Sequence, residues 1–362
     1  MGVTRAQFLG MAAAASGAVL LPAAQAQAEV SATRRGLALR GVVYDVGELW
    51  SVHRMRRDMR AIRHDLHASS VKVTGSGVGR LAATASEAAE RGLHVWLEPT
   101  LGDRPESEIL EHLAETGRFA ERLRRQGAGV HLSVGCEFVL FVPGIVPGDT
   151  VLERVENLQS GNFDPEQMLR RLHRFTARAA AVGRSVFRGQ MTYAAAEDED
   201  VDWDLFDIVG LDYYGYFQNR TDYVRDIRRH LRPGKPLAIM EFGTCTFQGA
   251  PEQGGMGWKV VDYTKEPPEI KGDLMRSERT QARYLASALD AFESMNLYSA
   301  LAFTFVNPEA EHHPEPRYDL DMASYAIVKP IRERPGDPAS EWHWEPKEAF
   351  HTLARAYRKA CA

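Results

Sequence analysis

Short apolar runs alternate with longer charged stretches along the chain from Gly36 onward. Apolar runs rich in β-branched and aromatic residues indicate buried strands, and longer stretches with apolar residues at helical spacing indicate helices. The strands are predicted over 39–45, 70–75, 93–99, 130–137, 185–194, 206–214, 236–243 and 298–306. Strands that alternate with helices in this way form a parallel sheet that is buried on both faces.

Helices are predicted between these strands at 53–66, 79–91, 105–125, 220–232 and 277–294, with a final helix over 344–362. Another helix begins at Asp164-Pro165-Glu166, where a cap, a proline and a first-turn acid follow in the expected order. The segment 138–165 before it, which begins FVLFVPGIVPG, is predicted to be a long loop. Eight strands with intervening helices predict one α/β domain over 36–362, a single (β/α)₈ TIM barrel.

The first 28 residues have a different pattern. After Arg5 comes the apolar run FLGMAAAASGAVLL, followed by PAAQAQA with small residues spaced for cleavage, which predicts a signal peptide over 1–28 and a secreted or cell-envelope protein. The export route, Sec or twin-arginine-like, stays open because Ala6 stands where a second arginine would be needed. A cytoplasmic protein with an Ala-rich extension is the alternative. The run is short for a membrane span, so no stable membrane insertion is expected.

Charge distribution and cysteine content indicate which ligands and partners to expect. The 44 basic and 49 acidic residues are well mixed, and without a basic stripe nucleic acid is not an expected partner. Cys136, Cys245 and Cys361 are too few and too scattered for a disulfide framework or a zinc site. The adjacent His312 and His313 have no third ligand at fixed spacing. We therefore expect no metal and no cofactor.

Carboxylates are concentrated at the predicted strand ends. In (β/α)₈ barrels the reacting groups lie at the carboxyl ends of the strands. Glu137 ends the fourth strand and Glu241 the seventh, so their side chains can approach across the mouth. Carboxyl groups about 5–5.5 Å apart suit a retaining glycosidase, and a gap of about 6.5–9.5 Å suits inversion. We predict that this pair is catalytic, with carboxyl oxygens within about 4.5–7 Å of each other.

Other strand-end and loop residues are candidates for substrate binding. The polar candidates are Asp45, Glu98, Cys136 and Asp212, and the aromatic candidates are Trp50, Tyr193, Tyr213, Tyr214, Trp258 and Phe305. Aromatic rings of this kind can stack on sugar rings, and they can equally pack between loops. The expected ligand is a carbohydrate or a glycosylated small molecule.

Three segments carry a family resemblance. SVGCE (133–137), DIVGLDYY (207–214) and PLAIMEFG (236–243) resemble the corresponding segments of the large clan of (β/α)₈ retaining glycoside hydrolases. The resemblance implies that Glu137 is the acid/base and Glu241 the nucleophile. In that clan an Asn precedes the acid/base glutamate and holds the sugar 2-hydroxyl, whereas this chain has Cys136. A thiol is a weak donor and acceptor.

This departure leaves three functions open. The first is glycoside hydrolysis by the carboxylate pair. The second is another reaction of the same pair on an apolar small molecule, favoured by Cys136 and by the apolar loop, which would form a lid or a subsite unless it simply packs on its neighbours. The third is an inactive barrel that binds glycan or serves in defence, because a fold alone does not determine function.

Overall fold

Eight parallel strands close into a barrel in the computed structural model, which describes residues 36–337 and 339–359. The predicted signal peptide and Cys361 lie outside these residues. The strands are β1 (Leu39–Asp45), β2 (Ser70–Gly75), β3 (His94–Pro99), β4 (Val130–Cys136), β5 (Met191–Ala196), β6 (Val209–Asp212), β7 (Leu237–Phe242) and, after the short strands β8 (Val261–Asp262) and β9 (Glu269–Ile270), β10 (Ser299–Ala302). Each pairs with its neighbour, and β10 closes the ring between β7 and β1. The (β/α)₈ prediction is confirmed.

Helices connect the strands. They are α1 (Val52–His64), α2 (Val78–Glu90), α3 (Glu106–Arg125), α4 (Phe138–Phe141), α5 (Val151–Ser160), α6 (Pro165–Val186), α7 (Arg220–Ile227), α8 (Glu278–Ser294) and α9 (Glu348–Lys359). Short 3₁₀ segments cover Trp203–Leu205, Arg228–His230, Ala250–Val260, Pro316–Tyr318 and Leu320–Ala323. Asp164 caps α6 as predicted, because its carboxylate accepts hydrogen bonds from two backbone N–H groups of the first turn.

Several predicted boundaries were wrong. The sixth strand covers only Val209–Asp212 and the eighth only Ser299–Ala302, so both are shorter than predicted. The segment 138–165 contains α4 and α5 and is not a continuous loop. The fifth strand begins at Met191, because residues 185–186 complete α6. The final helix begins at Glu348: residues Trp342–Pro346 form β12, which pairs antiparallel with β11 (Val328–Arg332). Pro346 disfavours helical backbone at the residue before it, so a helix does not run through this position.

The hydrophobic core has two layers. The layer inside the barrel consists of Val43, Trp96, Cys136, Ala194, Ile208, Ala238, Met240 and Leu301, and a larger layer lies between the strands and the helices. Lys72 is in register with Val43 of β1 and Trp96 of β3, and Asp212 lies four residues from Ile208 on β6, so both side chains point inward with this layer. The strand ends above this layer therefore bring together a cluster of polar side chains, which we call the chamber: Lys72, Glu98, Cys136, Glu137, Asp212 and Glu241.

The apolar segment after β4 belongs to the outer core layer. Phe138, Val139, Val142, Ile145 and Val146 are all buried, and the ring of Phe138 stacks on Tyr193. Most of this segment therefore packs in the core, while Phe141, which is partly buried, packs against the inner layer that contains Cys136. In the described part of the chain, no helix is both long enough and apolar enough to cross a membrane.

Candidate active site at the barrel mouth

A buried lysine joins two carboxylates inside the barrel. Lys72 of β2 is 0% exposed, and its Nζ donates hydrogen bonds to Glu98 Oε1 at 2.8 Å and to Glu241 Oε1 at 2.7 Å. Burial by itself lowers the pKa of Lys72, but the carboxylates of Glu241 and Glu98 outweigh it and raise that pKa well above its usual value. Sequence reasoning missed Lys72, although a lone lysine within the apolar run SVKVTG was a usable signal.

Glu241 has hydrogen-bond donors on both carboxyl oxygens. Its Oε1 accepts from Lys72, and its Oε2 accepts from the hydroxyl of Tyr214 at 2.7 Å. The Glu241 side chain remains 13% exposed, at the open end of the barrel. Burial and the neighbouring carboxylates raise the pKa of Tyr214 well above its usual value, so Tyr214 stays a donor. Donors on both oxygens hold this carboxyl group in one orientation.

Glu137 follows β4 directly and has left-handed backbone geometry, with φ 36° and ψ 58°. Its backbone N–H donates to the carbonyl of Ala194 in β5 at 2.9 Å. The next two backbone N–H groups are also held: Phe138 donates to the Tyr193 hydroxyl at 2.6 Å, and Val139 donates to Glu199 Oε1 at 3.1 Å. Three consecutive peptide groups of the β4 end are thus tied to β5 and its following loop.

Tyr193 and Glu199, which we call the β5 clamp, are bonded to each other. The Tyr193 hydroxyl donates to Glu199 Oε2 at 2.6 Å, and the same oxygen accepts from the Ala196 backbone N–H at 3.1 Å. Burial raises the pKa of Glu199 to about 7, although these hydrogen bonds favour its ionised form. Glu199 was not among the predicted site residues, because its position in an acidic loop is typical of a solvated surface.

Repulsion among the acids of the chamber affects their neighbours. Burial, followed by the charge of Glu241, raises the pKa of Asp212 well above its usual value, and Glu137 contributes to the same rise. Burial also raises the pKa of the Cys136 thiol well above its usual value. At the rim, loss of water and the nearby Glu309 raise the pKa of Asp45 to about 6. Glu137 and Glu241 therefore act on a common group, Asp212, from β4 and β7.

The chamber gathers only some of the predicted residues. Glu98, Cys136, Glu137, Asp212 and Glu241 lie in it, and Asp45 lies at its edge. The catalytic roles of the pair and the separation of their carboxyl groups stay predictions.

Several predicted aromatic contacts are placed elsewhere. Tyr193, Tyr213 and Phe305 belong to the outer core layer between the strands and the helices, so they pack the barrel wall. Trp50 donates its indole N–H to Thr84 on α2. Trp258 packs in the small cluster around Cys245 and Phe247 beyond β7. Of the aromatic candidates, Tyr214 contacts a catalytic candidate through its hydroxyl.

No protein-family model matches the chain, and no curated protein matches it either. Solved structures do match. One is a GH113 beta-1,4-mannanase, 14% identical with a TM-score of 0.57, covering 89% of this chain and 99% of that one. Another is the GH113 beta-mannanase AaManA from Alicyclobacillus acidocaldarius, 17% identical with a TM-score of 0.56, covering 90% and 98%. The fold is glycoside hydrolase-like.

A beta-glucuronidase from Bacteroides uniformis shares this fold with 15% identity and a TM-score of 0.55. The likeness covers 90% of this chain and 36% of that longer chain, so it concerns one part of the larger enzyme. Identities of this size establish the architecture alone. The chemistry has to be argued from the chamber.

Proposed function

We propose that this protein is a retaining glycoside hydrolase in which Glu241 is the nucleophile and Glu137 the acid/base. The observation that carries the proposal is the arrangement of Glu241: an acceptor carboxylate at the carboxyl end of β7, held by Lys72 and Tyr214 and still partly exposed to the mouth. A nucleophilic carboxylate has to be oriented and reachable, and the two hydrogen bonds and the partial exposure of Glu241 support both requirements.

The reaction takes two displacements. Glu241 attacks the anomeric carbon while Glu137 donates a proton to the departing oxygen, which gives a glycosyl ester on Glu241 and a free alcohol. Glu137, now ionised, takes a proton from water, whose oxygen attacks the same carbon and releases Glu241. Lys72 and Tyr214 keep the carboxylate of Glu241 in one position through both steps. The ties between β4 and β5 do the same for the backbone of Glu137.

The structural neighbours set the order in which substrates are tried. They are a beta-1,4-mannanase and a beta-glucuronidase, so β-linked mannosides, glucosides and glucuronides come first. An aryl leaving group with an acidic phenol lowers the demand for protonation and makes weak activity detectable.

The competing reaction on an apolar small molecule retains one supporting observation. Cys136 lies in the chamber as a neutral thiol, where the resemblance implies an amide. Most of the apolar segment that also favoured this reaction is buried in the outer core layer, and Phe141 packs against the inner layer. The other chamber residues are charged or hydroxylated, which suits a polyhydroxylated ligand better than an apolar one.

Two substitutions test the division of labour. Glu241→Gln removes the nucleophile, so the first step should fail on every substrate. Glu137→Gln removes the proton donor, so cleavage of a 2,4-dinitrophenyl glycoside should persist and then stall as the glycosyl-enzyme. Azide needs no general base, so it should relieve the stall and give a glycosyl azide of retained configuration. Glu166→Gln, on an exposed first turn of α6, is the matched control.

The outcome is read from turnover and from intact-protein mass. A covalent adduct on the Glu137 variant, absent from the Glu241 variant, supports the roles assigned here. Wild-type turnover in both variants removes the pair from catalysis. Failure of wild-type protein to cleave any β-linked aryl glycoside, combined with measurable glycan binding, favours the inactive barrel.

A further inference from the structure

Asp212 is a buried carboxyl group whose oxygens are not engaged. It is the last residue of β6, its Cα is paired with that of Glu241 on β7, and it is 2% exposed. Within the described ranges 36–337 and 339–359, neither Oδ1 nor Oδ2 has a hydrogen-bond partner. A buried polar group without a partner is costly, and such groups concentrate where a ligand completes the bonding.

The neighbours of Asp212 are the groups of the proposed reaction. Its ionisation is opposed by Glu241, by Glu137 and by Glu98 and is assisted by Lys72. Asp212 in turn opposes ionisation of the Cys136 thiol. The carboxyl group therefore interacts electrostatically with both the nucleophile on β7 and the thiol on β4, and its Cα is the register partner of Glu241.

The protonation state of Asp212 gives it a particular hydrogen-bonding edge. Burial, and after it the charges of the surrounding carboxylates, raise the pKa of Asp212 well above its usual value and so favour its protonated form. A neutral carboxyl group offers one O–H donor and one carbonyl acceptor. A primary amide offers the same pair, an N–H donor and a carbonyl acceptor, whereas the thiol of Cys136 offers both only weakly.

The position of a bound sugar follows from the nucleophile. Glu241 has to approach the anomeric carbon, and the neighbouring carbon with its hydroxyl lies one bond away, beside the attacking carboxylate. Asp212, on the adjacent strand and across from Glu241 in register, flanks that position. We propose that Asp212 binds the sugar 2-hydroxyl and so performs the role that Cys136 cannot. The inference rests on the proposed glycosidase function.

The experiment compares substrates that differ at one hydroxyl. The probes are 2,4-dinitrophenyl β-D-mannopyranoside, its glucopyranoside epimer and the 2-deoxy analogue that the two epimers share. Asp212→Leu removes donor and acceptor at similar volume, and kcat/KM on the better 2-hydroxy substrate should fall by about 100-fold, the loss typical of one transition-state hydrogen bond. The same variant should lose less than about threefold on the 2-deoxy substrate.

Two further variants separate this role from a structural one. Asp212→Asn keeps a donor and an acceptor, so on the 2-hydroxy substrate it should lie much closer to wild type than Asp212→Leu. Adding Cys136→Asn to Asp212→Leu supplies an amide donor and acceptor at the end of β4. The double variant should regain at least about tenfold of the kcat/KM that Asp212→Leu loses on the 2-hydroxy substrate. Thermal unfolding of each variant checks the fold.

The results distinguish this inference from the proposed function. If wild-type protein cleaves none of the three probes and no aryl β-glucuronide, the proposed function fails and the inference fails with it; if it cleaves the glucuronide alone, the same comparison is made on that substrate and its 2-deoxy analogue. If wild-type protein cleaves them and Asp212→Leu lowers both classes of substrate equally, the inference is overturned and the glycosidase stands. A loss confined to the 2-hydroxy substrates supports both.

Discussion

Replacing Lys72 with Met tests whether the buried ammonium stabilises the barrel. Methionine has a similar volume and no charge, so the strand packing is preserved while Glu98 and Glu241 lose their shared donor. Glu98 is 0% exposed and then keeps a single bond, from the Thr74 hydroxyl at 3.3 Å. Glu241 keeps Tyr214 and some contact with water. The cost therefore falls mainly on Glu98.

The expected loss of unfolding free energy depends on whether the Glu98 carboxylate stays charged or binds a proton. Breaking a buried ion pair on one side costs about 3–5 kcal/mol when the remaining charge is trapped. An abandoned carboxylate can instead bind a proton, and protonating a glutamate in water at pH 7 costs about 3.7 kcal/mol. This route becomes cheaper by about 1.4 kcal/mol for each unit of pH that is removed. We expect a destabilisation of about 3–4 kcal/mol at pH 7 that shrinks to about 1 kcal/mol at pH 5.

Urea unfolding followed by tryptophan fluorescence at pH 7, 6 and 5 measures this loss. The double variant Lys72→Met/Glu98→Gln removes the abandoned charge and should recover most of the stability at pH 7. Lys265→Met, on an exposed loop, is the control for loss of a lysine. The reasoning is refuted if Lys72→Met unfolds within about 1 kcal/mol of wild type at pH 7, or if its deficit does not depend on pH.

The remaining predictions also depend on pH. Glu199→Gln replaces a carboxylate that accepts from the Val139 and Ala196 N–H groups with an amide, so kcat/KM should fall, most of all on substrates that need protonation by Glu137. Because the pKa of Glu199 is about 7, the difference in kcat/KM from wild type should widen as pH rises from 6 to 8. A difference that stays constant with pH contradicts the proposed role of the β5 clamp. At the amino-terminal ends of β3 and β4, burial lowers the pKa of His94 to about 4 and that of His131 to about 3. The unfolded chain then binds more protons than the folded one below about pH 6.5. Each of the two histidines should therefore lower the free energy of unfolding by about 1.4 kcal/mol for every unit by which the pH is lowered between 6.5 and 5. His131→Gln can still bond to the Tyr298 hydroxyl, so it removes the titrating group and keeps the contact. A plot of its unfolding free energy against pH should therefore be less steep than that of wild type by the contribution of one histidine. Parallel plots for the variant and wild type contradict the assignment of a lowered pKa to His131.

The eight strands were predictable because each carries its own apolar run. A strand buried on both faces is hydrophobic along its whole length, and this local signal needs no partner. The cap at Asp164 was predictable for the same reason, since a carboxylate and the N–H groups it accepts from lie within one turn. The boundary at Pro346 shows the limit of a purely apolar pattern.

The interior of the site was less predictable. Lys72 and Glu241 are 169 residues apart in sequence, and only barrel closure brings their charges together. Strand-end position alone did not separate inward from outward side chains. The strand registers shift between Ser133 and Cys136 and again between Leu211 and Asp212. The extra residue lies on β4 in the first shift and on β7 in the second, so Glu241 contacts Lys72 in the interior although it follows the inward residue Met240. Along β5 and β6 the alternation is regular, and Tyr193 and Tyr213, each next to an inward residue, point outward into the wall.

The ties between β4 and β5 have a consequence for recombination among related barrels. The backbone that presents Glu137 is shaped by acceptors at Ala194, Tyr193 and Glu199, which follow it by more than fifty positions in the chain. A crossover placed between α6 and β5 would pair one parent's acid/base segment with the other parent's acceptors. A chimera that keeps the backbone geometry of Glu137 therefore has to take the whole segment from Val130 through Glu199 from one parent.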